Sequence, residues 1–136
     1  MNKNNTLNLL LILVALLVTS CHRGVVIELR NNSGQDLVVV GVNHNLEGNK
    51  ETVRKNCVLT MGLFYKLRVE HKNGEWNYDS KRIPPEFQKK KNFMISVIDL
   101  QIEKDGAIYV LSPGIKGPVS NFPPQPDGYP LLPTAR

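Results

Sequence analysis

Leu63-Phe64-Tyr65-Lys66-Leu67-Arg68-Val69-Glu70, then His71-Lys72-Asn73-Gly74, then Glu75-Trp76-Asn77-Tyr78-Asp79, is the stretch that decides the fold of this 136-residue chain. Leu63, Tyr65, Leu67 and Val69 alternate with Phe64, Lys66, Arg68 and Glu70. A period of two puts alternate side chains on opposite faces, the pattern of a half-buried strand. Asn73-Gly74 supplies two residues that tolerate positive φ, as tight hairpin turns require, so Leu63–Glu70 is expected to pair antiparallel with Glu75–Asp79. Trp76 and Tyr78, two apart, share a face, with Tyr65 expected opposite them across the hairpin. Their expected role is core packing rather than an exposed aromatic platform.

The same grammar extends in both directions. Upstream, Val25, Ile27 and Leu29 alternate with Val26, Glu28 and Arg30, a half-exposed strand. Asn31-Asn32-Ser33-Gly34 then reads as a turn, although Asn31-Asn32-Ser33 also has the form of a glycosylation sequon. Leu37-Val38-Val39-Val40 is apolar on both faces, as a central strand should be. Glu51–Val53 and Cys57–Met61 are weaker candidates. Downstream, Asn92–Ile98 and Leu100–Lys104 are apolar-rich, and Asp105-Gly106 turns the chain into Ala107–Leu111, giving a second hairpin. Between the hairpins, Ile83-Pro84-Pro85-Glu86-Phe87 and the lysine run read as a connection, because Pro-Pro can neither continue a helix nor donate to a central ladder. After Cys21 no stretch keeps a 3.6-residue amphipathic period. The expected fold class is therefore all-β: an immunoglobulin-like antiparallel β-sandwich of about seven strands over residues 25–112, with a small β-barrel as the alternative.

Residues 113–136 hold seven of the nine prolines, so regular structure should stop near Leu111. Two readings of this tail compete: a mobile end, or an irregular segment docked on the sandwich through Ile115, Phe122, Tyr129, Leu131 and Leu132. Disordered segments tend to lack aromatic and branched residues, which favours docking.

Residues 1–20 have a different composition. Met1–Asn8 is polar and carries Lys3, Leu9–Val18 is an uncharged apolar run, and Val18-Thr19-Ser20-Cys21 follows. This is the three-part layout of a secretory signal, expected to be helical. Ten apolar residues in a helix cover about 15 Å, half of a bilayer's hydrocarbon core, which suits a leader and not a permanent span. Val18-Thr19-Ser20-Cys21 resembles the lipobox of bacterial lipoproteins. The resemblance implies cleavage between Ser20 and Cys21, lipid on the Cys21 thiol, acyl chains such as palmitate, and residues 21–24 as a short lipidated linker. Two or more acyl chains hold a protein persistently on a membrane, whereas one binds reversibly. In many Gram-negative lipoproteins an Asp after the lipidated cysteine retains the protein at the inner membrane. His22 stands there instead, so the implied location is the outer membrane, facing the periplasm; a Gram-positive source remains open.

The chain carries 17 basic and 12 acidic residues. Lys3 is the only charged side chain before Cys21, so residues 21–136 hold 16 and 12. The excess lies in Arg54-Lys55, Lys81-Arg82 and Lys89-Lys90-Lys91, not in one stripe interleaved with aromatics, which argues against nucleic-acid binding. Such clusters suit solubility, or weak attraction to lipid and sugar phosphates at a membrane.

If Cys21 carries lipid, Cys57 has no partner for an intrachain disulfide and is expected as a small buried hydrophobe. His22, His44 and His71 lie at no metal-ligand spacing, and Asp36, Asp79, Asp99 and Asp105 fall in or beside turns and strand ends. Ser33 is not in a nucleophile elbow, and no phosphate-cradling glycine loop precedes a helix. The sequence thus points to no catalytic, cofactor or metal site, and to a lipid-anchored envelope protein whose β-sandwich binds or supports another envelope component, with a protein as the expected partner. The alternative is a lipoprotein inhibitor or immunity factor against a cell-wall hydrolase or toxin, weakened by the lack of the paired cysteines associated with lysozyme-inhibiting lipoproteins. An envelope enzyme, with no motif to support it, is the third class.

Overall fold

The computed structural model describes residues 24–44 and 46–134. The expectations for residues 1–20, Cys21 and His22 lie outside the described residues. Within them the chain forms ten strands: β1 Gly24–Asn31, β2 Leu37–Asn43, β3 Leu46–Glu47, β4 Glu51–Val53, β5 Val58–Gly62, β6 Lys66–His71, β7 Gly74–Asp79, β8 Gln88–Lys90, β9 Ile95–Ile102 and β10 Ile108–Val110. One 3-10 turn, Pro85–Phe87, precedes β8.

These strands make a β-sandwich and no closed barrel. One sheet runs β10-β9-β1-β5, with β8 joining β10 on the outer edge of β9; the other runs β3-β2-β6-β7, with β4 joining β3 on the outer edge of β2. The alternation read in the sequence explains how they stack. Ile27 and Leu29 of β1 and Ile98, Leu100 and Ile102 of β9 point inward against Leu37, Val39, Leu67, Val69 and Tyr78 from the facing sheet. Leu37–Val40 belongs to a central strand, β2, which is paired by β6 on one edge and, on the other, by β4 along Leu37–Val39 and by β3 at Val42 and Asn43.

The β6–β7 hairpin forms with Leu67 opposite Tyr78 and Val69 opposite Trp76. It differs in two details from the sequence reading. The turn residues are Lys72 and Asn73, and of the Asn73-Gly74 pair only Gly74 has positive φ, at 145°. The strand also starts at Lys66, because Leu63–Tyr65 carries the chain from β5 in one sheet to β6 in the other. Phe64 is buried there while Leu63 and Tyr65 are exposed, so the period of two breaks and Tyr65 does not oppose Trp76 or Tyr78.

Three further corrections concern the first sheet. β1 and β9 run parallel over their whole lengths, Gly24 beside Ile95 through Asn31 beside Ile102, in an otherwise antiparallel structure. A parallel pair is joined by a long excursion, here through the entire second sheet, and a local period carries no information about it. Gln88–Lys90 is an edge strand on β9 rather than part of a connection, and edge strands commonly carry lysine, which discourages pairing with other chains. Asn92–Met94 is a turn: the Asn92 side-chain oxygen accepts from the Met94 and Ile95 amides, both at 2.8 Å, and strand β9 begins only at Ile95.

Residues 113–134 lack regular structure but lie across the sandwich. The Gln101 side chain, fully buried on the outer face of β9, donates to the Val119 carbonyl at 2.8 Å and accepts from its amide at 3.1 Å. Phe122 stacks on Tyr109 with ring centroids 3.8 Å apart. Gln125 bonds both backbone groups of Val110 as a further strand would, and Leu131 exchanges two backbone hydrogen bonds with Ile108. Thr134 then reaches the Asn77 carbonyl of β7 in the facing sheet. The tail therefore straps the β10 edge of one sheet to the β7 edge of the other. Leu131 is a buried pin, worth roughly 1.5–3 kcal/mol before the cost of ordering the chain. Leu132, expected as another, is exposed because it points away on the opposite side of the same extended segment.

Candidate functional site: a cleft at the amino-terminal end of the sandwich

At the end of the sandwich where β1 begins, the two sheets part around a cleft of about 500 Å³, within the range of roughly 300–1,000 Å³ usual for ligand sites. Its floor is apolar: Ile27 and Ile98 from one sheet and Phe64 from the crossing segment, all buried, with Val25 and Ile83 beside them. Tyr129 of the tail forms one wall, its hydroxyl donating to the Lys81 carbonyl at 3.3 Å. Burial pushes the Tyr129 phenol up to about 12.

Local structure sets the rim. Asn43, the last residue of β2, donates from its side chain to the Leu63 carbonyl at 2.9 Å and accepts from the Tyr65 amide at 3.1 Å. The Ser80 amide donates to the Tyr65 carbonyl at 2.8 Å, which ties the exit of β7 to the same segment. These bonds fix a bend in which Phe64 points in and Tyr65 points out. The Tyr65 ring rests on His44 at 4.6 Å between centroids, His44 being held at a φ of 47°. Lys81 and Arg82 line the cleft, are exposed, and form no ion pair among the described residues. Neither a carboxylate nor a thiol is among the described residues lining it. Such an arrangement suits an apolar group flanked by negative charge.

The residues singled out in the sequence are dispersed. Cys57 is exposed, not buried as expected, because it closes a tight turn: its amide donates to the Arg54 carbonyl at 3.0 Å, and Asn56 beside it has a φ of 62°. That turn is bound to Asn31, at the opposite end of β1 from the cleft. His71 stacks on Trp76 with centroids 4.1 Å apart, at the far end of the second sheet from His44. Asp99 sits on the outer face of the first sheet beside Glu28; burial, then the Glu28 charge, raises its pKa above the ordinary carboxylate value. Among the described residues no group of three or more His, Cys, Asp or Glu is placed to hold a metal ion, and no helix is long and apolar enough to cross a membrane. Sequence reasoning missed the cleft. The visible trace of it was Leu63-Phe64-Tyr65, three large apolar residues in succession, where a regular alternation would have required a polar one.

No protein-family model, no curated protein and no solved structure matches the chain.

Proposed function

We propose that this protein is a lipid-anchored, non-catalytic binding module of the bacterial envelope, and that the cleft at the amino-terminal end of its sandwich takes an apolar segment of an envelope protein with negative charge beside it. The observation that carries this reading is the pairing of an apolar floor, Ile27, Phe64 and Ile98, with two cations at its rim, Lys81 and Arg82, that form no ion pair among the described residues. Apolar contact supplies most of the affinity in such sites, and a few placed polar groups supply orientation. The lipid anchor is supported by Val18-Thr19-Ser20-Cys21 and by β1 beginning three residues after Cys21, which leaves the domain close to its point of attachment.

A photo-crosslinking amino acid at Ile83, in cells making the full chain with its leader, tests the binding role. The expected result is an adduct with an envelope protein that is lost when Lys81 and Arg82 are both changed to Glu, while a crosslinker at Thr60, away from the cleft, gives none. Equal adducts at Ile83 and Thr60, or no adduct at Ile83, would refute the cleft as the binding site. Fatty-acid labelling of the same chain and of Cys21→Ser tests the anchor separately: label on the parent chain and none on the variant.

A further inference from the structure

Seven large apolar side chains of the described residues are exposed, and five of them, Leu46, Leu63, Tyr65, Phe93 and Met94, lie at the end of the sandwich where β1 begins. Phe93 is 79% exposed and Met94 48%. They occupy the tip of the β8–β9 hairpin, held in place by the Asn92 cap. The Met94 carbonyl accepts a 2.7 Å hydrogen bond from the Gly24 amide, which fastens this tip to the first residue of β1. Lys89, Lys90 and Lys91, all exposed, stand on the same hairpin. Apolar side chains in water beside a cluster of cations are what a protein presents to a surface that is apolar below and anionic above.

The position of Cys21 selects that surface. Three residues of fully extended chain span at most about 11 Å, so the Cys21 backbone stays within that distance of Gly24, and a lipid on its thiol enters the membrane close to the Phe93-Met94 tip, to which the Gly24 amide is bonded. We infer that the β8–β9 tip docks on the bilayer that holds the lipid anchor, Phe93 and Met94 entering the interface and Lys89, Lys90 and Lys91 meeting anionic headgroups. The inference rests on the reading of Cys21 as the lipid-attachment site. Docking fixes the sandwich on end, with its far turns pointing away from the membrane and the cleft mouth at the level of the headgroups. A partner then reaches the cleft along the membrane surface, so a membrane-bound protein is favoured over a freely diffusing one.

Cys57 provides a built-in reference for the test, since it is exposed and lies at the other end of β1, about 25 Å away for an eight-residue strand. The full chain is expressed with its leader in a bacterium that processes lipoproteins, purified, and weighed by mass spectrometry to establish lipid on Cys21. It is then labelled with an environment-sensitive fluorophore at Cys57, or at position 94 in a Cys57→Ser, Met94→Cys variant, and reconstituted into vesicles of phosphatidylethanolamine and phosphatidylglycerol containing bromine-labelled acyl chains. The expected result is several-fold stronger quenching and a blue-shifted emission at position 94, with neither at Cys57. Changing Lys89, Lys90 and Lys91 to Glu should reduce the quenching at position 94 in these vesicles, while quenching in phosphatidylcholine vesicles stays as it was. A Phe93→Trp variant in otherwise unlabelled protein, its emission read against that of Trp76 in the parent, gives a second view of the tip. Lipidated protein in which the position 94 probe is as solvent-exposed as the Cys57 probe, and in which Phe93→Trp adds only the emission of an indole in water, would overturn the docking and leave the anchor standing. A mature mass without lipid would overturn both.

Discussion

At the end of the sandwich where β1 finishes, Asn31 is fully buried and every polar atom of its side chain is used: its amide donates to the Gln35 and Val53 carbonyls at 2.7 and 3.0 Å, and its carbonyl accepts from the Ser33 amide and hydroxyl at 3.0 and 2.7 Å. At the end where β1 begins, Leu46 and Phe93 stand three-quarters or more exposed, and a cleft opens between the sheets. The two ends face the same topological task, turning strands back into the sandwich. The far end does it with buried hydrogen bonds and close contacts. The near end leaves apolar surface in water, a cost that folding alone does not require. This difference separates the part of the molecule shaped by stability from the part that function explains better.

The sharpest test of the far end is Gly106→Ala. Gly106 has a φ of 83°, and a β-carbon there would lie 2.8 Å from Pro133 and 2.9 Å from Trp76. Backbone strain and overpacking together should cost roughly 2–5 kcal/mol, read as a lower urea midpoint. Gly74→Ala, where no atom lies within 4 Å of the added carbon, should cost only the strain of its φ of 145°, roughly 1–3 kcal/mol. Next in size is Asn31→Ala, which takes the donor from the Val53 carbonyl and the acceptor from Ser33 in a buried turn. The expected loss is about 2–3 kcal/mol by the same measurement. If either Gly106→Ala or Asn31→Ala left stability unchanged, the far end would not be the tightly built one.

Legibility in the sequence followed the same division. The β6–β7 and β9–β10 hairpins, the half-buried β1 and the central β2 could be read because each is written in a local period and a turn within a few residues of it. The Asn31–Gly34 turn was readable for the same reason. Which sheet a strand joins is not written locally: Val58–Gly62 and Lys66–His71 are neighbours in sequence and belong to opposite sheets, and β1 lies parallel to β9 across some seventy residues of chain. Alternation tells which face a side chain takes and not which strand it meets. The cleft was hidden because its walls come from β1, the 63–65 crossing, the 80–83 segment and Tyr129, which only the fold brings together. The expected burial of Cys57 and the expected start of a strand at Asn92, ahead of Phe93, fail for one reason. Cys57 and Phe93 are both apolar residues beside a strand, and a tight turn decides their exposure.

Between the two ends, Asp99 probes the outer face of the first sheet. Its raised pKa means that the folded state holds the proton at pH values where the unfolded chain has released it. Its contribution is therefore most favourable below the unfolded value, near 3.8, and is lost as pH rises through the folded one. Asp99→Asn removes the burdened charge and keeps the shape. The variant should melt higher than the parent at neutral pH, and the difference should shrink as pH falls toward the ordinary carboxylate value. A melting difference independent of pH would assign the gain to packing instead of charge. The effect should be smaller than either far-end substitution, because the outer face keeps some contact with water and with the cations Lys89 and Arg30.

The smallest expected effect is the one that bears most on the comparison. Leu46→Ser, Phe93→Ser and Met94→Ser made together remove three apolar side chains that are 75, 79 and 48% exposed. Exposed groups return little on folding because the unfolded chain solvates them in much the same way. Serine keeps the backbone amide, so the bonds from the Met94 and Ile95 amides to Asn92, and from the Gly24 amide to the Met94 carbonyl, can still form. Each substitution should therefore fall within about 0.5 kcal/mol of neutral, and the triple variant should unfold at nearly the parent's urea midpoint. A loss of several kcal/mol would show that these side chains pack against the domain in solution, and the contrast between the ends would collapse. Retained stability would mean that the fold does not need apolar groups at the near end, which leaves contact with something outside the domain as the reason for them.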